Sequence, residues 1–334
     1  MKVLLYTEGL KTIGVSGLGK AIEHQKKALS DVGISYTINV TDDYDILHIN
    51  TWFFKSYFVA KKAKKRGKKI VYHAHSTEED YRNGFILANQ TSKLIKWWLI
   101  KCYSLGDVIV TPTEYSKKLL ENYKGLENKK IYAISNGIEL DFFKDDPSYR
   151  ETFRKRYNYE EEDKVIISIG LYIRRKGIVD FVELAKRLPE YQFIWFGESP
   201  LMAATEDVRR AVNTKLPNLE FAGHVDQTFI REALSGCDLY LYPTFEETEG
   251  IPIIEATIMK CPAIIRDIPI FDEFEDKKSI YKAKDVDEFE LLIRSFFKGD
   301  LPSLVEEAYL LAKKRDIKEV GKQLKEVYKK VLED

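Results

Sequence analysis

Two carboxylates eight positions apart, Glu247 and Glu255, stand in the stretch P-T-F-E-E-T-E-G-I-P-I-I-E-A at residues 243–256. The apolar run before it, 238–242, reads as a buried strand that Pro243 ends. The Ala-containing apolar run after it, 253–259, has helical character. Acidic side chains, a glycine and a helix start therefore meet at the carboxyl end of a strand, where open α/β sheets bind ligands. With Glu247 on the loop and Glu255 in the first turn or two of the helix, both can face one ligand. Gly250 between them lets the backbone come close, and N–H groups at the helix start can take an anion. One carboxylate on sugar hydroxyls, N–H groups on phosphate and a second carboxylate on ribose describe a nucleotide-sugar site. The same pattern also fits an acidic turn ahead of a helix whose carboxylates complement its dipole.

Three further groups of residues suit the same chemistry. Arg174-Arg175-Lys176-Gly177 follows a strand at 165–170, and clustered cations on such a loop can hold a diphosphate and stabilise its charge as it leaves; plain surface charge ahead of a helix is the alternative. His73-Ala-His75-Ser76 closes another strand, and a histidine at a strand end can move a proton or hydrogen-bond a sugar. His73 and His75 are expected to point to opposite faces, so that one of them faces a ligand. The glycine-rich stretch 14–20, with Gly17 and Gly19, follows the first strand and opens a helix, where it can cradle phosphate or serve as a plain turn into that helix. Its third dinucleotide-fingerprint position is Ile22, which disfavours a nicotinamide site.

The elements that must position these residues alternate along the chain. Strand-like runs at 3–6, 35–40, 46–50, 69–73, 108–111 and 131–135 are separated by helical runs such as 19–32 and 115–123. A second series follows at 165–170, 193–197, 219–222, 239–242 and 263–266. Such alternation argues for parallel sheets covered on both faces. The polar, acidic segment 144–163 separates the two series. The expectation is two facing Rossmann-like domains with a cleft between them, 1–145 and 146–315, with a charged terminal helix, 316–334, returning to the first. At 334 residues each half can bury a core, and an apolar content of 44% argues against disorder. No apolar run reaches the length of a spanning helix, and the N-terminus reads as a strand rather than a signal peptide. Cys102, Cys237 and Cys261 have no motif spacing and read as reduced core thiols of a cytoplasmic protein.

The balanced charge conceals an asymmetry. Residues 1–150 carry 24 Lys and Arg against 17 Asp and Glu, and residues 151–334 carry 29 against 36. The front half should therefore prefer an anionic partner. Within it, Lys61, Lys62, Lys64, Lys65 and Arg66 form a basic run. Further on, lysines interleave with Trp97 and Trp98 in an apolar helix that suits a membrane–water boundary. A solvated face and a partly buried helix are the plainer readings. Nucleic acid is not the expected partner, since no readout motif is present.

Five motifs in order resemble glycosyltransferase family 4, retaining enzymes of the GT-B fold. They are the glycine loop at Gly17, His75-Ser76, Asn136-Gly-Ile-Glu139, the Lys176-Gly177 loop and the E-x7-E of Glu247 and Glu255. The E-E-T-E-G-I form is similar to bacterial synthases that build sugars on diacylglycerol. The resemblance implies that Glu247 holds the donor hexose, Glu255 the ribose and Lys176 the diphosphate. Leu171 stands where the family has a second cation, a role left to Arg174 or Arg175. Loops at Gly197 and Gly223 would flank the base. The implied catalytic residues are His75, Glu247 and Lys176. The implied donor-binding set is Gly17, Arg174, Arg175, Lys176, Gly197, Gly223, Glu247, Gly250, Ile251 and Glu255.

The resemblance further implies hexose transfer from a UDP-sugar, as donor substrate rather than cofactor, to a membrane glycolipid such as monoglucosyl-diacylglycerol, or to diacylglycerol. Transfer would proceed with retention and without a metal, at the inner face of the cell membrane. Asp43-Tyr-Asp45 spells a metal–diphosphate signature of a different glycosyltransferase fold, but here it leads straight into a strand. A family-4 enzyme with a soluble, cell-wall or capsule acceptor is the first rival, a nucleotide-sugar epimerase the second and a non-catalytic binding protein the third.

Overall fold

The computed structural model describes residues 1–9 and 17–333, so Gly14 and the two residues after it in the first glycine loop lie outside the described residues. Two compact units emerge. The first comprises residues 1–81, 89–139 and 315–334, and the second residues 82–88 and 140–314. The short excursion at 82–88 is not signalled by any composition change.

The first unit is built on β1 (Lys2–Tyr6), β2 (Ser35–Thr37), β3 (Ile46–Ile49), β4 (Lys69–His73), β5 (Val108–Thr111) and β6 (Lys130–Ala133). They form one parallel sheet in the order β2-β1-β3-β4-β5-β6. Successive side chains alternate between faces. Thus Leu4, Leu47 and Ile70 pack with Leu99, Tyr103 and Leu120 in one core, while Val3, Leu5, Ile46 and Val71 pack with Leu324, Val327 and Tyr328 in another. Burial on both faces explains why β3 and β5 show no alternation of polar and apolar residues, with every residue buried. The expected strand at 35–40 stops at Thr37. There the Thr37 hydroxyl donates to Asp42 at 2.6 Å, and the Asn39 side chain accepts from Thr41 N at 3.2 Å, so local side-chain bonds win over the ladder.

The terminal helix Ile317–Glu333 lies in this unit, against the helix Gly17–Asp31. Gly321 permits the approach, since a Cβ there would sit 2.3 Å from the Ala28 carbonyl oxygen. The Asn-Gly-Ile-Glu turn clamps the helix start: Ile138 N donates to Arg315 O at 2.8 Å, and Ile317 N donates to Ile138 O at 3.1 Å.

The second unit contains β7 (Val165–Ile169), β8 (Gln192–Phe196), β9 (Leu219–Gly223), β10 (Leu239–Tyr242), β11 (Ala263–Arg266) and β12 (Tyr281–Ala283). These form a parallel sheet in the order β12-β11-β10-β7-β8-β9. β12, three residues long, is too short to show a period in the sequence. The acidic segment 144–163 is not a bare linker. It holds the helix Pro147–Tyr157, which Asp146 caps by accepting from Ser148 N at 2.8 Å. Buried Arg154 ties that helix to the Gly236 and Asp163 carbonyls. All three cysteines are free and buried, with the Cys237 and Cys261 sulfurs 3.3 Å apart.

Candidate active site

In the second sheet β7 and β10 are neighbours, and the strand order runs outward from them in opposite directions. Their carboxyl ends therefore open a crevice at the topological switch point, the expected place for a ligand in such a sheet. The loop after β7 runs through Gly170 to a 3-10 turn, Arg174–Lys176, and ends at Gly177. The loop after β10 runs from Pro243 to Gly250, which caps the helix Ile251–Ile258.

The two loops interlock. Gly177 has φ +77°, and a Cβ on it would lie 2.2 Å from the Pro243 carbonyl oxygen, so only glycine lets the backbones approach this closely. Phe245 N donates to Arg175 O at 2.7 Å, and the Arg175 guanidinium donates to Glu246 O at 2.5 Å. At the centre is the Glu247 carboxylate. Its Oε1 accepts from Lys176 Nζ, from the Tyr242 hydroxyl at 2.8 Å and from the Thr244 hydroxyl at 2.9 Å. Arg175 stands 3.4 Å from Oε2. Burial alone would raise the Glu247 pKa. The Lys176 and Arg175 charges, with the Lys176 and Tyr242 hydrogen bonds, outweigh it and hold the carboxyl at about 2. The cluster is thus a carboxylate and two cations, fixed and charged at neutral pH.

The other positions take distinct places. Arg174 does not join the cluster; its side chain is exposed and pairs with Asp207 at 3.3 Å. Arg175, not Arg174, is the second cation beside Lys176. Glu255 is fully buried in the helix Ile251–Ile258. Burial first, then the Glu255 and Glu247 carboxylates, push the buried Tyr240 hydroxyl well above its ordinary range. Gly250, at φ +84°, and buried Ile251 form the helix start. Gly197 and Gly223 follow and end β8 and β9 with positive φ. Gly197 N donates to Gly223 O at 2.7 Å, and a Cβ on Gly197 would meet Gly170 O at 2.5 Å.

In the first unit His75 lies just past β4, half-buried. The expectation that His73 and His75 point to opposite faces is overturned. The strand ends at His73, His75 N turns back to His73 O at 3.2 Å, and the two rings stack with centroids 3.8 Å apart. Residues two apart on an extended chain share a face, so the stacking follows the strand period, and it was the expectation of opposite faces that misapplied it. His48 is fully buried and hydrogen-bonded, as a satisfied strand histidine should be. Gly17 opens its helix with no atom near a would-be Cβ. Lys61, Lys62, Lys64, Lys65 and Arg66 are exposed on and just beyond the helix Phe54–Lys65. Trp97 is exposed and Trp98 is half-buried. Its indole N–H donates to Trp52 O at 2.7 Å and its ring packs on Phe54 and Tyr57, because adjacent helical residues face different directions. Asp43 pairs with Lys68, and Asp45 accepts from Lys2 N, so the D-x-D acids anchor the strand they precede. Among the described residues no group of three or more His, Cys, Asp or Glu is placed to hold a metal, and no helix is long and apolar enough to cross a membrane.

Residues 31–142 match the family model for Glycosyltransferase Family 4, and residues 149–319 match that for Glycosyl transferases group 1. A processive diacylglycerol alpha-glucosyltransferase of Acholeplasma laidlawii is 37% identical over 335 residues, covering 99% of each chain. The chain belongs to glycosyltransferase family 4. The alpha-galactosylglucosyldiacylglycerol synthase of Streptococcus pneumoniae is 24% identical over 81% of this chain and 73% of that one. Among solved structures, Anabaena HepE in complex with UDP-glucose superimposes with a TM-score of 0.78 at 16% identity, covering 99% and 100% of the two chains. Sucrose-phosphate synthase from Thermosynechococcus elongatus gives 0.79 at 14% identity, covering 99% of both. At such low identity these likenesses speak for the fold, which is GT-B.

Two supports of this family-4 site escaped sequence reading. Arg266, at the end of β11, is buried: it donates to Pro243 O at 2.9 Å and Lys284 O at 2.6 Å, pairs with Asp180, and lies 3.9 Å over the Phe245 ring. It holds the loop that carries Glu247 from below. An arginine closing the apolar strand A-I-I-R was the available signal. The second support is Asn83, whose carbonyl accepts from Arg175 N at 3.1 Å. Nothing in the sequence links positions so far apart.

Proposed function

We propose that this glycosyltransferase moves glucose or galactose from a UDP-sugar to diacylglycerol or its monoglucosyl derivative, with retention at the anomeric carbon and without a metal. The observation that carries the reading is the full-length similarity to a processive diacylglycerol alpha-glucosyltransferase. In this reading the second unit binds the donor and the first meets the acceptor. Lys176 and Arg175 take the diphosphate, and two preorganised cations can supply there the charge stabilisation that a metal supplies elsewhere. Glu247 accepts from hexose hydroxyls, Glu255 from the ribose, and the N–H groups at the start of the helix Ile251–Ile258 face phosphate. Gly197 and Gly223 leave room for the base, and the family motifs that Gly17 and His75 match assign them to the diphosphate and the sugar.

The bond from the anomeric carbon to the β-phosphate oxygen breaks as the acceptor hydroxyl attacks from the same face. The acceptor proton passes to the departing phosphate oxygen, so no enzymatic nucleophile is needed. Lys176 and Arg175 stabilise the charge that develops on the leaving group.

The acceptor is met at an anionic membrane surface on the cytoplasmic side. Exposed Phe54, Phe58, Leu94 and Trp97 supply apolar contact, and Lys61, Lys62, Lys64, Lys65 and Arg66 supply charge. Each such cation is worth about 1 kcal/mol near an anionic leaflet.

The test is incubation of the purified protein with UDP-glucose and UDP-galactose separately, each against diacylglycerol and monoglucosyl-diacylglycerol in mixed vesicles, with and without EDTA. An α-linked glycolipid and released UDP, undiminished by EDTA, are expected. UDP-sugar conversion without an acceptor, or transfer to soluble acceptors alone, refutes the reading.

A further inference from the structure

Behind His75 runs a line of polar side chains that the donor-site reading leaves unused. His75 Nε2 lies 3.0 Å from Asn50 Oδ1, and Asn50 Nδ2 donates to Gln25 Oε1 at 2.8 Å. Gln25 Nε2 lies 2.8 Å from His48 Nε2, and His48 Nδ1 lies 2.6 Å from the Tyr328 hydroxyl, in the helix Ile317–Glu333. Gln25, His48, Asn50 and Tyr328 are all at least 95% buried. Each link has a direction. An amide oxygen only accepts, so His75 Nε2 carries the proton. An amide nitrogen only donates, so His48 Nε2 is a lone pair and His48 Nδ1–H donates to Tyr328.

The reverse direction requires both amides to turn over, and His73 argues against it. Its Nδ1 lies 3.2 Å from His48 Nε2, and its Nε2 is buried without a partner. With His48 Nε2 a lone pair, His73 Nδ1–H donates to it and the orphaned Nε2 is also a lone pair. Reversing the line puts a proton on His48 Nε2 and forces the His73 proton onto the orphaned atom. A buried N–H without an acceptor is rarer and costlier than an acceptor without a donor. Burial also holds all three imidazoles below their ordinary pKa, so at neutral pH they differ in tautomer rather than charge.

We infer that this line holds His75 as its Nε2–H tautomer, so that His75 offers the sugar a lone pair on Nδ1 and accepts a hydroxyl hydrogen bond rather than donating one. Asn50, Gln25, His48 and Tyr328 are then positioning residues. Tyr328 makes the terminal helix part of the machinery although it touches no substrate. The sugar contact rests on the function proposed above; the tautomer does not.

Long-range proton–nitrogen correlation spectra of histidine-labelled full-length protein read the tautomer directly, with His75 assigned by the signal lost in His75→Gln. The wild type is expected to show Nε2 protonated and Nδ1 bare. Asn50→Asp keeps an acceptor for Nε2–H and should keep this pattern. Asn50→Leu should release the Nδ1–H form, and so should Tyr328→Phe, which removes one oxygen from the far end of the line. In both releasing variants kcat should fall about tenfold, the scale of outer partners that orient histidines, with KM for the UDP-sugar changed far less. A wild-type His75 protonated on Nδ1, or a pattern unmoved by both Asn50→Leu and Tyr328→Phe, overturns the inference. If the tautomer is as expected but His75→Gln transfers sugar at the wild-type rate, the sugar contact fails and with it that part of the proposed function.

Discussion

Replacing Glu247 with Gln removes one charge from the centre of the interlocked loops. The magnitude follows from the geometry. Glu247 is 6% exposed, and the Lys176 and Arg175 side chains beside it are 13% and 12% exposed. Against burial, those two cations lower its pKa from 4.5 to about 2. A shift of that size corresponds to roughly 3 kcal/mol favouring the ionised, folded form. Glu247→Gln should therefore destabilise the second unit by about 3 kcal/mol at neutral pH, because it leaves two cations with little water and no counter-charge. The carboxylate binds its proton less tightly in the folded state than in the unfolded one. The wild-type advantage is thus fully present above pH 4.5 and is lost as pH falls toward 2. Lys176→Met alone should also destabilise, while the double variant should cost much less than the sum, with a coupling of about 2 kcal/mol. Urea unfolding at pH 7 and at successively lower pH measures these differences, and hydrogen exchange of peptides spanning β7 and β10 assigns them to the second unit. Additive single effects, or a Glu247→Gln deficit that does not shrink in acid, refute the electrostatic reasoning. Both single variants should also reduce glycosyl transfer by orders of magnitude.

Gly177→Ala forces a Cβ against the Pro243 carbonyl at a left-handed backbone position; a cost of about 1–3 kcal/mol is expected in thermal unfolding, with loss of transfer. Arg266→Met leaves Asp180 without its guanidinium partner and Pro243 O without its donor, and should cost about 3 kcal/mol; an unchanged melting curve and KM for the UDP-sugar contradict the support assigned to Arg266. Trp97→Ala combined with Lys61, Lys62 and Lys65→Ser should weaken sedimentation with anionic vesicles about a hundredfold or more. Trp98→Phe should leave that binding within about twofold while lowering stability by about 1 kcal/mol, since it loses the bond to Trp52 O.

Much of the fold was legible because its cause is local. Apolar runs of strand length with polar, periodic helices between them can be satisfied only by parallel sheets covered on both faces, as β3, β5, β7 and β10 show. Edges were less legible. Thr37 and Asn39 divert the backbone through their own side chains, and β12 has too few residues to carry a pattern. The tryptophan pair shows the same limit, since a lysine–aromatic mixture names a surface but not which ring faces out.

Residue type and loop position singled out Glu247 and the Lys176-Gly177 loop as ligand candidates at strand ends, and the family motifs gave them roles. That β7 and β10 lie side by side came only with the structure. What tertiary structure alone decided is which groups meet. Arg175 rather than Arg174 turns toward Glu247, and Arg266 braces the loop from the next strand. Each depends on the path of a backbone that distant segments hold in place. Asn83 and Tyr328 make the point most plainly: each bonds to a partner far away in sequence, and no local preference encodes that distance.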